Sequence, residues 1–505
     1  MRLRLRLVCL ALSVSPLVTA QVQAQEPVLE LTLSDAIQQA LAKNYTIKVD
    51  RFSTPIARAD LLAAWGTFDP VLSATYSYSE DGNPQPTDPT GNRPPGTVVE
   101  SDYYDLSLRG LTPWGLSYRF GASTQNRRVS TVGFLDNYYT FAGVEITQPL
   151  LRGFGFGANL VGVRLAAASR GISEWEYRAT VMDVVTDVIN AYHDLFFYQK
   201  NLEIAQRSRD LASGLVVENE RRYRAGGLSE ADITAARARV ATREEAILLA
   251  QRAVRDQENF LKQLITDERS ITMIDRPLRI APPESLPPIT PEPALDFRRA
   301  LDQRPDYQRA RLLVRRTDLN RRYRRNQLLP RVDLVGSYGY NGLDEHFSVS
   351  RRQVTDREIR SYSLGAVVSV PLTMATERGN YRSAKLTHEQ AMTALEQLEQ
   401  AIVVAVGNAA GQINTAAQRV EATRRSRELE QQNLDAEVKK LRSGTGNTFF
   451  VLQQQEILAN TEIRAFRALA DYQKALAAYD RQLGDTLQRH RIRIDDTLQP
   501  GPNQR

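Results

Sequence analysis

Two very long stretches of the chain carry the apolar spacing of an α-helix without interruption. From Ala158 to Arg224, and again from Glu377 to Arg442, apolar residues recur every three or four positions, with charged residues between them and no proline. A continuous helix of this length is about 100 Å long. Such runs are typical of coiled coils and helical tubes rather than of compact globular domains.

Each long helix is predicted to turn back at a glycine. The turns read RRYRAGGLSEADI from Arg221 and KKLRSGTGNTFFV from Lys439, and a shorter helical pattern follows each one. Glycine supplies the left-handed backbone conformation that ends many helices. We therefore predict two antiparallel helical hairpins, at about residues 158–264 and 377–484, with tips at 223–229 and 442–448.

Strict alternation of apolar and polar residues predicts β-strands before each long helix, in about residues 68–148 and 330–371. In VLSATYSYS, Leu72, Ala74 and Tyr76 share one face, and serine and threonine occupy the other. Alternating segments rich in tyrosine are typical of transmembrane β-barrel strands. A soluble β-sandwich shows the same alternation. The long helices, together with an export signal predicted at residues 1–24, favour the barrel.

The two halves of the chain repeat one order of elements: helix, strands, a proline-marked turn, a long helix, a glycine break and a helix. DAIQQAL from Asp35 aligns with LDFRRAL from Leu295, and DPVLSATYSYS from Asp69 aligns with LPRVDLVGSYGYN from Leu329. We predict a first repeat at 25–290, a second at 291–487 and a disordered tail at 488–505. A repeat of this kind changes the domain count that length alone predicts.

The N-terminus has the features of a cleaved export signal. Residues 1–24 contain three arginines, an apolar run too short to span a bilayer, and small residues at Val22 and Ala24. The single cysteine, Cys9, lies inside this segment, so the mature chain has no thiol for a disulfide, zinc ligation or nucleophilic catalysis. The formal net charge of +6 falls to about +3 without Arg2, Arg4 and Arg6. Interleaved charges along the helices do not indicate a nucleic-acid partner.

At this point the chain resembles the outer membrane efflux protein family, the TolC-like exit ducts of efflux pumps and type I secretion systems. The resemblance runs in order through both halves, from about Leu29 to Leu487. The segments that carry it are LTLSDAIQQALAKN, GTFDPVLSATYSYS, TQPLLRGFG, RRYRAGGLSEADI, RRALDQRPDYQRARL, LLPRVDLVGSYGY and LRSGTGNTFFVLQQQ.

The resemblance implies an α+β membrane protein of TolC-like fold with two internal repeats per chain. Three chains would form one transmembrane β-barrel in the outer membrane of a Gram-negative bacterium, continued by an α-helical barrel in the periplasm. The homotrimer would dock, through its hairpin tips, a periplasmic adaptor protein of an inner-membrane transporter of the RND or ABC type. No cofactor or metal is implied.

Residues of both tips match the family's docking motifs. These are Arg222, Tyr223, Gly226, Leu228 and Ser229 at the first tip, and Leu441, Arg442, Gly444, Thr445 and Thr448 at the second. A helix-capping turn, with Ser229 as N-cap and Asp232 three positions later, explains the first motif equally well, and both interpretations can hold together.

The second tip departs from the family pattern. Family members often carry an acidic residue where this chain has Phe450, next to Phe449. A threefold ring of phenylalanines would close a channel by apolar contact and dewetting, whereas packing between helices is the alternative. Asp232 is a further candidate for the periplasmic gate, as a polar latch with Arg442.

The strand count is a second departure. The first half has four predicted strands rather than two, because Tyr104–Leu111 and Leu116–Ser123 form an additional pair. The pair either widens a trimeric barrel from twelve strands to eighteen or forms a hairpin outside it.

No arrangement of catalytic residues supports an enzyme. The four histidines are scattered, and the glycine-rich GFGFG from Gly153 lacks the spacing of a phosphate-binding loop. The run RRYRR from Arg321 fits either contact with outer-membrane lipid phosphates or a solvated helix face. The alternative to a passive exit duct is a periplasmic structural or adhesive coiled-coil protein with a β head.

Overall fold

The computed structural model describes residues 30–87, 89–227, 229–282 and 290–494. The predicted export signal, residues 1–24, therefore lies outside the described residues. The helices, in chain order, are α1 (Leu33–Lys43), α2 (Tyr45–Asp50), α3 (Ser53–Trp65), α4 (Phe156–Asn159), α5 (Val161–Arg224), α6 (Glu230–Ile265), α7 (Thr272–Asp275), α8 (Pro293–Gln303), α9 (Pro305–Asn326), α10 (Phe347–Thr355), α11 (Ala375–Arg442), α12 (Thr448–Leu483) and α13 (Thr486–Arg489).

Six of the strands form one continuous antiparallel sheet in the order β2-β3-β4-β5-β7-β8. The strands are β1 (Glu30–Leu31), β2 (Val71–Asn83), β3 (Thr97–Leu111), β4 (Ser117–Val129), β5 (Tyr138–Pro149), β6 (Arg279–Ile280), β7 (Arg331–Asp344) and β8 (Ile359–Ser369). The two-residue strands β1 and β6 pair separately and in parallel.

The additional strand pair of the first half lies inside this sheet. β3 and β4 stand between β2 and β5, and every neighbouring pair continues the ladder without a break. Within one chain the additional pair is therefore part of the sheet and not a separate hairpin, which favours the wider of the two predicted barrels. β3 begins at Thr97 and β4 ends at Val129, so both strands are longer than the predicted pair Tyr104–Leu111 and Leu116–Ser123.

The connection between β7 and β8 contains a short helix. This helix, α10, packs on β7 and β5. Its residue Ser350 is fully buried, and the Ser350 hydroxyl donates to the carbonyl oxygen of Tyr138 at 2.9 Å. Packing against the sheet therefore holds α10 in place.

The long helices form two antiparallel hairpins, α5 with α6 and α11 with α12, and α12 also packs along α5. α5 has 64 residues and α11 has 68, and both returning helices have 36. The buried stripe of α5 includes Tyr177, Val181, Val185 and Leu195. A second apolar cluster joins α11 to α12 around Ile402, Ile413 and Leu483.

Short helices complete the packing near the first hairpin. Thr32 begins α1 with a capping box, in which its hydroxyl accepts from the backbone nitrogen of Asp35. A first apolar cluster joins α1, α5 and α6 and includes Ile37, Val185 and Leu261. Ile492 and Ile494 pack on this cluster, although the tail was predicted to begin at residue 488. None of the helices in the described ranges combines the length and apolar character needed to cross a membrane.

Candidate functional site

The first hairpin tip is a glycine turn followed by a complete capping box. Gly226 has a φ of +79°, and Gly227 donates its backbone N–H to the carbonyl of Arg222 at 2.9 Å. Ser229 caps α6: the backbone N–H of Ser229 donates to the Asp232 carboxylate at 3.0 Å, and its hydroxyl accepts from the Asp232 backbone. Hydrogen bonds from Ser229 lower the pKa of the Asp232 carboxyl. Leu228 lies outside the described residues.

The second tip repeats the glycine turn with different caps. Gly444 also has a φ of +79°, and Thr445 donates its backbone N–H to the carbonyl of Lys440 at 3.1 Å. A side chain on Gly446 would collide with the backbone of Leu441, so glycine is required there by space. Asn447 caps α12 by accepting from the backbone of Phe449 at 2.9 Å, without a reciprocal bond.

The predicted docking residues divide into an exposed set and an interior set. Tyr223, Arg442 and Thr445 are exposed. Leu441 and Thr448 are buried, and Leu441 belongs to a small apolar cluster with Val451. The interior pair therefore shapes the second tip rather than offering a surface.

Two phenylalanines stand exposed at the start of α12. Phe449 and Phe450 are each about half exposed, and their rings meet edge to face with centroids 5.7 Å apart. The guanidinium of Arg239, on α6, lies 5.6 Å from the centre of the Phe449 ring. Asp232 is held by Ser229, and within the described chain no ion pair joins it to Arg442.

The two hairpins meet along a seam of ion pairs that the sequence did not reveal. On the upper part, towards the sheet, Asp183 pairs with Arg481, and Asp194 pairs with Lys474 at 2.9 Å. Nearer the tips the signs reverse, because Arg207 of α5 pairs with Glu462 of α12 at 3.5 Å. In this seam, α12 contributes the basic partners at the end towards the sheet and the acidic partner nearer the tip.

One face of the six-stranded sheet is apolar and exposed. It includes Leu72, Leu108 and Phe120, which lie opposite one another on β2, β3 and β4, and Leu364 on β8, which is 77% exposed. Large areas of exposed apolar surface indicate contact with lipid or another protein. β2 and β8 form the two edges, each with one partner strand in the described chain.

The opposite face of the sheet is polar. Arg119 pairs with Asp105 and lies 3.5 Å from Glu145 on the next strand. The nitrogen of Arg109 donates to the Ser73 hydroxyl at 2.9 Å. The ring of Phe141 covers Gly143 and Gly339, where a Cβ would collide with it. The sheet therefore has one face suited to an apolar medium and one suited to water.

No group of three or more His, Cys, Asp or Glu side chains in the described ranges is arranged to hold a metal ion. The one strongly perturbed histidine is His193, inside the α5 packing. Burial, with a contribution from the Lys474 charge, lowers its pKa to about 4. Its surroundings are those of a packed core side chain.

Comparison with solved structures gives the same architecture repeatedly. The Campylobacter jejuni CmeC outer membrane channel matches at 14% identity, with a TM-score of 0.66 over 92% of this chain and 89% of that one. The Vibrio cholerae outer membrane protein VceC matches at 16% identity and a TM-score of 0.64, over 90% and 96%. The open-state Neisseria gonorrhoeae MtrE outer membrane channel matches at 17% identity and 0.62, over 90% and 89%.

No curated protein sequence matches this chain. The family model for outer membrane efflux proteins matches residues 113–266 and 297–485, which include both hairpins and most of the sheet. The resemblance drawn from the sequence is thereby confirmed. The chain belongs to the outer membrane efflux protein family, whose members are channels, not enzymes, of the Gram-negative outer membrane with a helical part in the periplasm.

Proposed function

We propose that this protein is the passive, trimeric exit duct of a tripartite efflux pump or a type I secretion system. The observation that carries the proposal is the union, in one chain, of a sheet with an exposed apolar face and two hairpins about 100 Å long. The sheet suits the membrane, and the hairpins reach far into the periplasm. The sequence contains no nucleotide-binding motif, so the energy would come from an inner-membrane transporter.

The barrel would be assembled from three copies of the sheet. Lipid offers no hydrogen bonds to an open edge, so strands can span a membrane only as a closed barrel. The edges β2 and β8 would pair between neighbouring copies, and three six-stranded sheets give eighteen strands. Because barrel diameter grows roughly linearly with strand number, this barrel would be about half again as wide as one of twelve strands. The polar face would line the lumen.

The hairpin tips would dock the periplasmic adaptor. The exposed side chains of Tyr223, Arg442 and Thr445 would make the contacts, together with the partly exposed Arg222 and with Leu228, which remains a predicted contact. Gly226, Gly444 and Ser229 would set the shape of the turns. Leu441 and Thr448 would support the second tip from within.

The gate would be formed by phenylalanines. Their exposure and their position in the first turn of α12 support a ring at the periplasmic end of a trimer. Apolar constrictions close by dewetting, so Phe450→Ala should raise the single-channel conductance in planar bilayers. Phe450→Leu is the matched control, because it keeps an apolar ring and should remain closed. Equal conductance of the wild type, Phe450→Ala and Phe450→Leu would show that Phe450 does not form the gate.

The proposed function as a whole is tested by location and mass. Native membranes would be fractionated, and the detergent-extracted particle would be weighed by light scattering. Recovery of the protein in the outer-membrane fraction, as a particle of three chain masses, supports the duct. Co-purification of an adaptor that is lost when the hairpin tips are altered supports it as well. Release of a single-chain protein by osmotic shock would support the periplasmic structural protein instead.

A further inference from the structure

A cavity lies between the two hairpins, near their tips and away from the proposed docking surface. Its volume is about 360 Å³, and it is lined by α5 and α6 of the first hairpin and α12 of the second. Volumes of this size accommodate small organic molecules. Since three helices from two hairpins build its walls, whatever occupies the cavity contacts both hairpins at once.

Two arginines give the cavity a positive wall. Arg239 and Arg243 lie one helical turn apart on α6 and both line it. Arg243 is partly buried, and one guanidinium nitrogen contacts the Ser208 hydroxyl. Burial lowers the pKa of Arg243, which Glu456 raises and Arg239 lowers further. Neither arginine forms an ion pair with a carboxylate in the described part of the chain, so Glu456 only partly balances their charge.

The remaining walls combine amides with apolar groups. Asn201 and Asn460 approach from α5 and α12, and Thr242 lies between the two arginines on α6. Ile204 and Ile463 form an apolar floor. Guanidinium groups bind carboxylates and phosphates through paired hydrogen bonds, and more strongly where water is partly excluded. The lining therefore offers two kinds of contact: cationic donors for an acid group and apolar surface for a short chain.

We propose that this cavity is a binding site for a small amphiphilic anion, a short-chain carboxylate or phosphate monoester. Arg243 and Arg239 bind the acid group, and Ile204 and Ile463 contact the carbon chain. The bound anion neutralises the arginines and ties α12 to α5 and α6. It thereby stabilises the packed arrangement of the two hairpins over any arrangement in which they separate. The site is independent of whether the channel exports such anions.

The test uses the full-length protein in detergent and four soluble probes: butyl phosphate, butyrate, inorganic phosphate and butanol. Thermal unfolding would be followed with each probe, since a ligand at free concentration L stabilises the folded state by RT ln(1 + L/Kd), so the melting temperature rises with the logarithm of ligand concentration above Kd. Butyl phosphate or butyrate should raise Tm in this way, and whichever is stronger identifies the acid group. Butanol should not raise Tm.

Variants separate the two halves of the site. Arg243→Gln should weaken butyl phosphate at least tenfold, whereas Arg252→Gln, exposed farther along the same helix, should leave it unchanged. Arg243→Lys should retain part of the affinity. Ile463→Ala should weaken butyl phosphate but not inorganic phosphate. Binding that is the same in the wild type and in Arg243→Gln, or no rise in Tm with either butyl phosphate or butyrate, would overturn the proposal. Either result leaves the trimer mass and membrane location untouched.

Discussion

The long helices α5 and α11 each have a buried apolar stripe with the same residue spacing, but the residues beside the stripe differ in exposure. Val181, Val185 and Val188 of α5 have the same spacing as Ile402, Val406 and Ala409 of α11, and all six are buried. Next to this stripe, Met182 of α5 is 1% exposed, whereas Val403 of α11 is 52% exposed. The same apolar pattern is therefore fully covered on α5 but only partly covered on α11 within a single chain.

The difference follows from the neighbours of each helix. α5 is packed by α6, α12, α9 and α3, whereas the main partners of α11 are α12 and α9. An apolar flank left uncovered in one chain is expected to be covered by another copy. In the proposed trimer, α5 would hold its own chain together, and the open flank of α11 would face another copy.

The largest expected effect comes from placing a charge on that open flank. Val403→Asp should leave the single chain folded but abolish the proposed trimer, because a charge would be buried at each contact. Light scattering in detergent would show one chain mass instead of three, with unchanged helical circular dichroism. Val403→Thr, similar in shape, should remain mostly trimeric. A trimeric Val403→Asp protein would show that the flank does not face another copy.

One pH-dependent effect should arise in the first hairpin, at His193. The pKa of His193 is about 4 in the folded state and about 6.5 in the unfolded state, so the unfolded chain binds the additional proton between these values. The His193 contribution to stability should therefore fall as pH drops from about 6.5 to 4, by up to about 3 kcal/mol. Buried Asp480, whose pKa burial raises to about 7, contributes in the opposite direction, so the comparison with a His193 variant is what isolates the histidine.

Urea unfolding at pH 7 and pH 4.5 would measure this loss. His193→Gln, which does not titrate, should show a smaller loss than the wild type over the same interval. An equal loss in both proteins would mean that other groups cause the acid sensitivity.

Two tyrosines offer a matched test of how each half is anchored. The Tyr192 hydroxyl lies 2.8 Å from the carbonyl oxygen of Ala281, whereas the Tyr479 hydroxyl donates to the carboxylate of Asp296. Hydrogen bonds to charged groups contribute more, about 1.5–3 kcal/mol against about 1 kcal/mol. Tyr479→Phe should therefore reduce the free energy of unfolding more than Tyr192→Phe. The reverse order in urea titrations would contradict this ranking.

The smallest expected difference lies at the tips. Ser229→Ala removes a reciprocal capping box, whereas Asn447→Ala removes a single cap bond. Amide hydrogen exchange in the first turn of α6 should accelerate about tenfold, and in the first turn of α12 by less. Ser229→Thr, which keeps the hydroxyl, is the control. Equal acceleration at both tips would show that the reciprocal bond adds nothing.

Local patterns predicted the regular parts of this fold closely. The long helices were predicted at 158–224 and 377–442 and lie at Val161–Arg224 and Ala375–Arg442, because a period of three to four residues over sixty positions has one structural solution. The additional strand pair was also visible as alternation, but its place in the sheet depends on pairing that no single strand encodes.

Contacts between distant segments were beyond the sequence. The pairs Asp194–Lys474 and Arg207–Glu462 join helices that are hundreds of residues apart, and each partner alone reads as an ordinary solvated charge. The cavity at Arg243 was hidden for the same reason, since its walls come from three helices. Asp232 was predicted both as a capping residue and as a latch with Arg442, and in the described chain its carboxylate accepts the cap bonds of Ser229.

Because α5 and α11 are long, a small rotation of a hairpin about its sheet end produces a large displacement of its tip. A helix of 64 residues extends about 96 Å, so a rotation of about 3° at the sheet end moves the tip sideways by about 5 Å. That displacement is comparable to the reach of one phenylalanine side chain. In the proposed trimer, a partner bound at the tips would thus change the width of the aperture with a small angular change.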